Sequence, residues 1–407
     1  MGKFWFYLKP YCFVWAKGKT CLIYDSHSGK GIELKNTKRI QWLINQLNDL
    51  NNLYCIELSE NLLKKNGVGI FISKIQDSGS GNLIPVVPGK RKPAFLVPFL
   101  NLQQDINKLR KEPERSLGKD IMKNLHEISI FINANNVQNS NVFEQFIYQN
   151  CIEGNLLTSD IISFLRQIRT SFVNIINVYA DNFLKHPDLG PLINELDKMN
   201  IIKNFCLPLG CFPANISELE FLESPHCRLT VLVEPGFVPQ LLIDASRKLN
   251  LTSIQVEWVF AVSSKREFTK VNSIILKSNL ESVEIKPFFN GKNLKFFKEN
   301  VFLTKEDLLN SGLSKREVFA HQVLNTNDFG KFTIFPDRKV YANINHPPLG
   351  LIAEPVNQMV FSEMDKGTSW RRIRDMEPCC NCVYQWLCPS PSNYEIAIGK
   401  PNLCHVM

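Results

Sequence analysis

The sequence predicts an α/β protein: a partial, open (β/α)6 barrel of TIM-like type, with a small α+β module before it and a cysteine-rich domain after it. Three observations carry that expectation. Between Leu125 and Phe288, six apolar runs of strand length alternate with segments whose apolar residues recur at helical spacing. In the first 75 residues, short aromatic-rich runs are broken by turn residues. At the other end, five of the twelve cysteines fall within the last 29 residues.

The N-terminal module (1–75) opens with apolar runs at Pro10–Ala16 and Thr20–Asp25, separated by Lys17-Gly18-Lys19, which predicts a hairpin. A third short strand is expected over Gly31–Lys35. Thr37 then caps a helix that buries Ile40, Leu43, Ile44 and Leu47. A strand over Leu53–Leu58, a short helix from Ser59 and a returning ribbon over Val68–Lys74 complete a winged-helix outline. Residues 76–124 read as a linker and helical lead-in. Gly79, Gly81, Pro85, Pro88 and Pro93 discourage sheet pairing, and Leu102–Leu109 has helical spacing.

The barrel segment (125–330) has strands at Ile128–Ile132, Val173–Tyr179, Ile201–Phe205, Cys227–Val233, Ile254–Val262 and Val283–Phe288. Helices are expected from Thr158, from Leu189, over Ser217–Leu222, from Val238 and over Lys270–Leu276. Parallel strands need crossover connections, and six units rather than eight leave a barrel open. Any site of such a barrel sits at the carboxyl ends of its strands. Residues 331–407 begin with a hairpin, Lys331–Phe335 and Val340–Ile344 around Pro336-Asp337-Arg338-Lys339. Short helices near Val356–Met364 and Trp370 lead to the cysteines.

Those cysteines read C-x2-C-x5-C at Cys379, Cys382 and Cys388, with Cys404 after fifteen intervening residues. A close pair, a third thiolate just beyond and a fourth on a return segment suit a tetrahedral zinc ion or an iron–sulfur cubane. Cys380 could replace Cys379 by a slip of register. His405 is an alternative ligand or an outer hydrogen-bond donor. Cys206, Cys211, His226 and Cys227 form no second centre, because they fall at opposite ends of neighbouring parallel strands.

Composition excludes other classes. With 47 basic and 39 acidic residues the net charge is +8, and the basic residues are scattered apart from Lys90-Arg91-Lys92 and Arg371-Arg372-Ile373-Arg374. Nucleic acid is therefore not an expected partner. No apolar run is long enough to cross a membrane, and the start lacks a cleavage site. A cytoplasmic location is expected, where clustered cysteines bind metal rather than pair as disulfides.

A partial barrel, a hairpin and this tail together resemble the radical S-adenosylmethionine (SAM) enzymes that carry a SPASM domain. The resemblance implies that Cys379, Cys382, Cys388 and Cys404 hold one outer [4Fe-4S] cluster, with zinc as the alternative. It implies no inner cluster: Ser392 stands where that set needs a cysteine, the hairpin offers Tyr341-Ala342-Asn343-Ile344-Asn345, and Pro355 stands at the third position. The reductive C-x3-C-x2-C motif is also missing, since no cysteine occurs between Cys55 and Cys151. The glycine loop that holds the cofactor amine reads Val178-Tyr179-Ala180-Asp181-Asn182. No SAM binding and no catalytic residue follow from such a pattern.

The tail wording, Trp386 to Glu395, resembles the pseudo-radical-SAM proteins of Bacteroidales systems that mature ribosomal peptides. That resemblance implies a catalytically silent partner. Its own partners would be a precursor peptide with a Gly-Gly leader and a radical SAM/SPASM maturase. The N-terminal module is similar to the elements that capture leader peptides as an added strand.

Overall fold

The aromatic run at the start, to which the sequence assigned no element, is a strand. In the computed structural model, which describes residues 2–65, 67–98, 121–134, 145, 152–180, 182–278 and 280–406, β1 (Lys3–Leu8) is the centre of a three-stranded antiparallel sheet. A second such sheet joins β2 (Cys12–Lys17), β3 (Thr20–Asp25) and β4 (Lys30–Lys35) in order, and it contains the predicted hairpin. Thr37 caps helix Lys38–Asn48, its hydroxyl accepting from the Ile40 amide at 3.3 Å. That helix buries the four residues its spacing selects.

Two expectations for this region fail. The returning ribbon expected over Val68–Lys74 is helix Val68–Asp77, which buries Val68, Phe71, Ile72 and Ile75. Their 3, 4 and 7 spacing is that of one buried helix face. The first sheet is instead completed by β5 (Cys55–Ser59) and β6 (Gly81–Pro85), one on each side of β1. β6 lies inside the expected linker. Its proline is tolerated because it ends an edge strand and owes no further ladder bond. The helix expected over Leu102–Leu109 lies outside the described residues.

The whole chain is a mixed α/β protein built on a large, mostly parallel sheet. Its parallel strands are β7 (Glu127–Ala134), β9 (Ile175–Ala180), β10 (Ile202–Pro208), β11 (Cys227–Val233), β12 (Val256–Val262) and β13 (Val283–Pro287). They lie side by side in chain order, with β8 (Gly154–Asn155) paired antiparallel to β7. Helices Thr158–Gln167, Leu189–Asp197, Pro239–Leu249 and Lys265–Ser278 fill the crossovers. The Ser217–Leu222 helix is a 3-10 stretch, Ile216–Glu223. Thr158 is the first helical residue rather than the cap, and its hydroxyl donates to the Asp188 carbonyl at 3.3 Å.

The hairpin enters the same sheet. β14 (Lys331–Ile334) pairs parallel with β7, and β15 (Lys339–Tyr341) and β16 (Gly350–Leu351) extend that edge antiparallel. Helices Leu294–Asn300, Lys305–Leu309 and Lys315–Val323 occupy a stretch to which the sequence assigned none. Helix Val356–Lys366 follows as expected, but Trp370 stands in a turn rather than a helix. No helix among the described residues is long and apolar enough to cross a membrane.

Candidate metal centre

The tail reaches its cysteines from a firm anchor. The Trp370 ring is wholly buried, stacks on Phe332 at 5.2 Å and donates Nε1–H to the Lys331 carbonyl at 3.2 Å. Glu363, also buried, accepts the Ser369 and Trp370 amides at 3.0 and 2.8 Å. Beyond this point the chain has little regular structure and folds by consecutive turns. Cys382 N–H donates to Cys379 O at 3.0 Å, Gln385 N–H to Cys382 O at 3.2 Å, and Cys388 N–H to Tyr384 O at 3.1 Å. Cys404 returns beside them because the terminal strand pairs with Leu303, which donates to Leu403 O and accepts from His405 N–H.

The four predicted ligands share one electrostatic environment. Burial raises the Cys379 and Cys382 thiols and pushes Cys388 up to about 12. After burial, the neighbouring thiols act in the same direction: Cys404 on all three, Cys379 on Cys382 and Cys388, and Cys382 on Cys388. Thiols that raise one another's pKa lie in one neighbourhood, where a cation would lower them. Among the described residues, no three Cys, His, Asp or Glu side chains lie within reach of one metal ion.

Cys380 is half-buried beside Lys17. Its carbonyl accepts from Lys17 Nζ, which also donates to Gln385 Oε1 at 2.6 Å. His405 turns away, with Nε2 2.7 Å from the Lys298 carbonyl. Cys206 faces Phe131, Tyr179 and Phe335 inside the sheet's curve, whereas Cys227 packs into the opposite, helix-covered core. Cys206 pairs in register with Thr230, three residues along β11 from Cys227, so the two thiols are on different faces and different levels.

Arg374 is the cation behind the thiols. Its Nη1 lies 3.8 Å from Cys379 Sγ, its Nε donates to Pro389 O at 2.5 Å, and its Nη2 lies 2.8 Å from Glu395 Oε1. The Arg374 and Glu395 side chains are only 9% and 5% exposed, which makes this a buried ion pair.

One neighbour of the thiols was not legible in the sequence. Phe13, Leu22 and Tyr24 of the second N-terminal sheet share a core with Val383, Tyr384 and Leu387 of the tail, and Cys382 and Cys388 pack against it. Lys17 and the Tyr384–Glu33 hydrogen bond close its polar rim. The alternating Phe13, Trp15, Leu22 and Tyr24 were a signal for this second buried face, but not for what would cover it.

Asn343 and Ser392 each make polar contacts with the tail. Asn343 Nδ2 donates to Asp328 Oδ1 at 2.9 Å and to Asn393 Oδ1 at 2.8 Å, and Ser392 caps helix Asn393–Ile398 through its amide and Glu395. Burial pushes the Asp328 carboxyl up to about 6, against the opposing charges of Arg372 and Lys331. A carboxyl raised on folding stabilises the fold fully below its unfolded value and loses that contribution as pH rises through its folded one. Stability is therefore expected to fall by roughly 1–3 kcal/mol between about pH 4 and pH 6. Asp328→Asn should flatten that segment of a urea-unfolding profile against pH.

No protein-family model matches the chain, and no curated protein matches its sequence. Among solved structures, it is similar in shape to Streptococcus suis SuiB bound to precursor peptide SuiA, at 11% identity over 98% of both chains and a TM-score of 0.49. SuiB bound to S-adenosylmethionine gives 11% identity, the same coverage and a TM-score of 0.47. A third structure of SuiB gives 10% identity, the same coverage and a TM-score of 0.48.

Proposed function

We propose that this chain is a catalytically silent, radical-SAM-like partner in ribosomal peptide maturation, which binds a precursor peptide along β2. The free backbone edge of β2 is the observation that carries this reading. Lys17 and Thr20 close the hairpin as a paired position, so Val14 and Ala16 turn their N–H and C=O groups away from β3. Neither has a backbone partner among the described residues. The opposite edge is blocked: Gly312 N–H donates to Gly29 O at 3.1 Å, and Leu309 packs on Gly31. One face of the β2–β4 sheet packs on helix Lys38–Asn48 and the other on the cysteine tail. A peptide added at β2 gains main-chain hydrogen bonds and sits beside both. A Gly-Gly leader is the proposed occupant, and a radical SAM/SPASM maturase is the second partner.

The silence is read from the sequence. The segment after the first barrel strand carries no C-x3-C-x2-C, and its single cysteine, Cys151, falls short of the three thiolates that hold a reducing cluster. Cys379, Cys382, Cys388 and Cys404 are the proposed ligands of one [4Fe-4S] cluster. A close pair, a third thiolate just beyond and a fourth on a return segment support that reading, with a tetrahedral zinc as the alternative. Such a cluster would crosslink the tail and, placed so close to the shared core, hold the N-terminal sheet against it.

The test is fluorescence anisotropy with a labelled Gly-Gly leader peptide. Binding should weaken at least about tenfold in Ala16→Pro, which removes one outward N–H and leaves the β2–β3 ladder intact. Unchanged affinity would reject the β2 site. Formation of 5′-deoxyadenosine from SAM by the purified, reduced protein would reject the silent reading.

A further inference from the structure

A groove of about 600 Å³ opens at the carboxyl ends of β11 and β12, on elements that carry neither the cysteines nor the β2 edge. Its size is within the usual range of binding sites. Pro235, Phe237, Ala261 and Val271 give it an apolar lining, to which Arg266 and Lys270 add two cations. The half-buried Phe237 ring packs edge-on against Phe260 at 5.8 Å, which holds it in place.

The charge available in this groove has one sign. Glu267, the one carboxylate among its described residues, is tied down: Oε2 accepts the Ser263 amide and hydroxyl at 2.7 and 2.8 Å. Arg266 and Lys270 are both exposed, and neither makes an ion pair or a side-chain hydrogen bond among the described residues. The Lys270 ammonium instead lies 5.3 Å from the centre of the Phe237 ring. The two cations stand four residues apart on helix Lys265–Ser278, a spacing at which like charges repel and weaken a helix. An anionic partner would remove that cost. Apolar surface continues beyond the groove: Val238, Leu241 and Phe268 are 55%, 49% and 44% exposed, and the helices bearing Leu241 and Phe268 are neighbours. Exposed apolar residues rimmed by charge mark an interaction surface.

We propose that this groove docks an acidic segment of a partner protein, which seats an aromatic side chain against Phe237 and sets carboxylates on Arg266 and Lys270. Charge complementarity selects that occupant. An apolar segment would leave both cations uncompensated, and a basic one would meet like charge. A small free anion would leave Phe237 and the apolar lining uncovered. A bilayer surface would lie across the rim without filling the concave lining. The site is independent of the peptide edge on β2, and either can fail without the other.

Fluorescence anisotropy of the full chain with labelled Asp-Glu-Phe-Asp-Glu, capped at both ends, tests the groove. Binding should be saturable and should weaken as salt is raised. It should be at least about tenfold tighter than for Asn-Gln-Phe-Asn-Gln or for Asp-Glu-Ala-Asp-Glu. Arg266→Glu and Lys270→Glu, at exposed positions, should each cost at least about tenfold with unchanged circular dichroism and melting. The proposal is overturned if the acidic peptide does not bind, if either control peptide binds equally well, or if both variants keep full affinity. Tighter binding to phosphatidylserine vesicles than to the peptide, lost in the same variants, would replace the partner protein with a membrane surface.

Discussion

Cys388→Ser is expected to lower iron in anaerobically prepared protein from about four atoms per chain to below one. The tail should lose order at the same time. Cys388 lies near the other three proposed ligands and packs against the core shared with the N-terminal sheet. Folding free energy and cluster binding are therefore coupled at this residue. Cys380→Ser is the control, because Cys380 is not one of the four proposed ligands, and iron should remain at the parent level. Iron retained in Cys388→Ser, or lost in Cys380→Ser, would overturn the ligand assignment. Zinc at one atom per chain in the parent protein would replace the cubane with a mononuclear site.

The second large effect is expected at Arg374. Removing one partner of a buried ion pair leaves the other charge without compensation, at a typical cost of about 3–5 kcal/mol. Arg374→Leu leaves Glu395 in that position and also deletes the hydrogen bond to Pro389 O and the guanidinium beside Cys379. The urea midpoint should fall by a corresponding amount even in metal-free protein. Arg374→Leu with Glu395→Leu should recover much of the loss, because the stranded carboxylate is gone. If the double variant is as unstable as the single one, the cost belongs to packing around Arg374 rather than to the ion pair.

The comparison between sequence and structure follows the range of the forces involved. Elements that bury one periodic face were legible: Ile40, Leu43, Ile44 and Leu47 mark one helix, and Cys227–Val233 marks a strand to the residue. Elements set by pairing were not. Gly81–Pro85 has a turn-like composition and becomes a strand only because the edge of β1 is available. Val68–Asp77 is rich in β-branched residues, yet its burial against Leu43 and Phe6 makes it helical. The parallel pairing of β14 with β7 is likewise a tertiary choice, since a hairpin pattern fixes only the neighbour across the turn.

The candidate centre was legible as a spacing but not as an environment. Four cysteines could be proposed as ligands from their intervals, but not the burial around them. Arg374 was visible only as part of a basic run, and its pairing with Glu395 across 21 residues was not.

The shared core of Phe13, Leu22 and Tyr24 with Val383, Tyr384 and Leu387 has a consequence for how the chain is made. Partners so far apart in sequence cannot meet until the chain between them has been synthesised. Until then the nascent hairpin presents a bare aromatic face beside an open strand edge, a combination prone to wrong pairings. Contacts of such long range also form late in folding, after the loop between them has been closed. The protein should therefore depend on chaperones during production more than its size suggests, and truncation before Val383 should leave the first module sticky rather than independent.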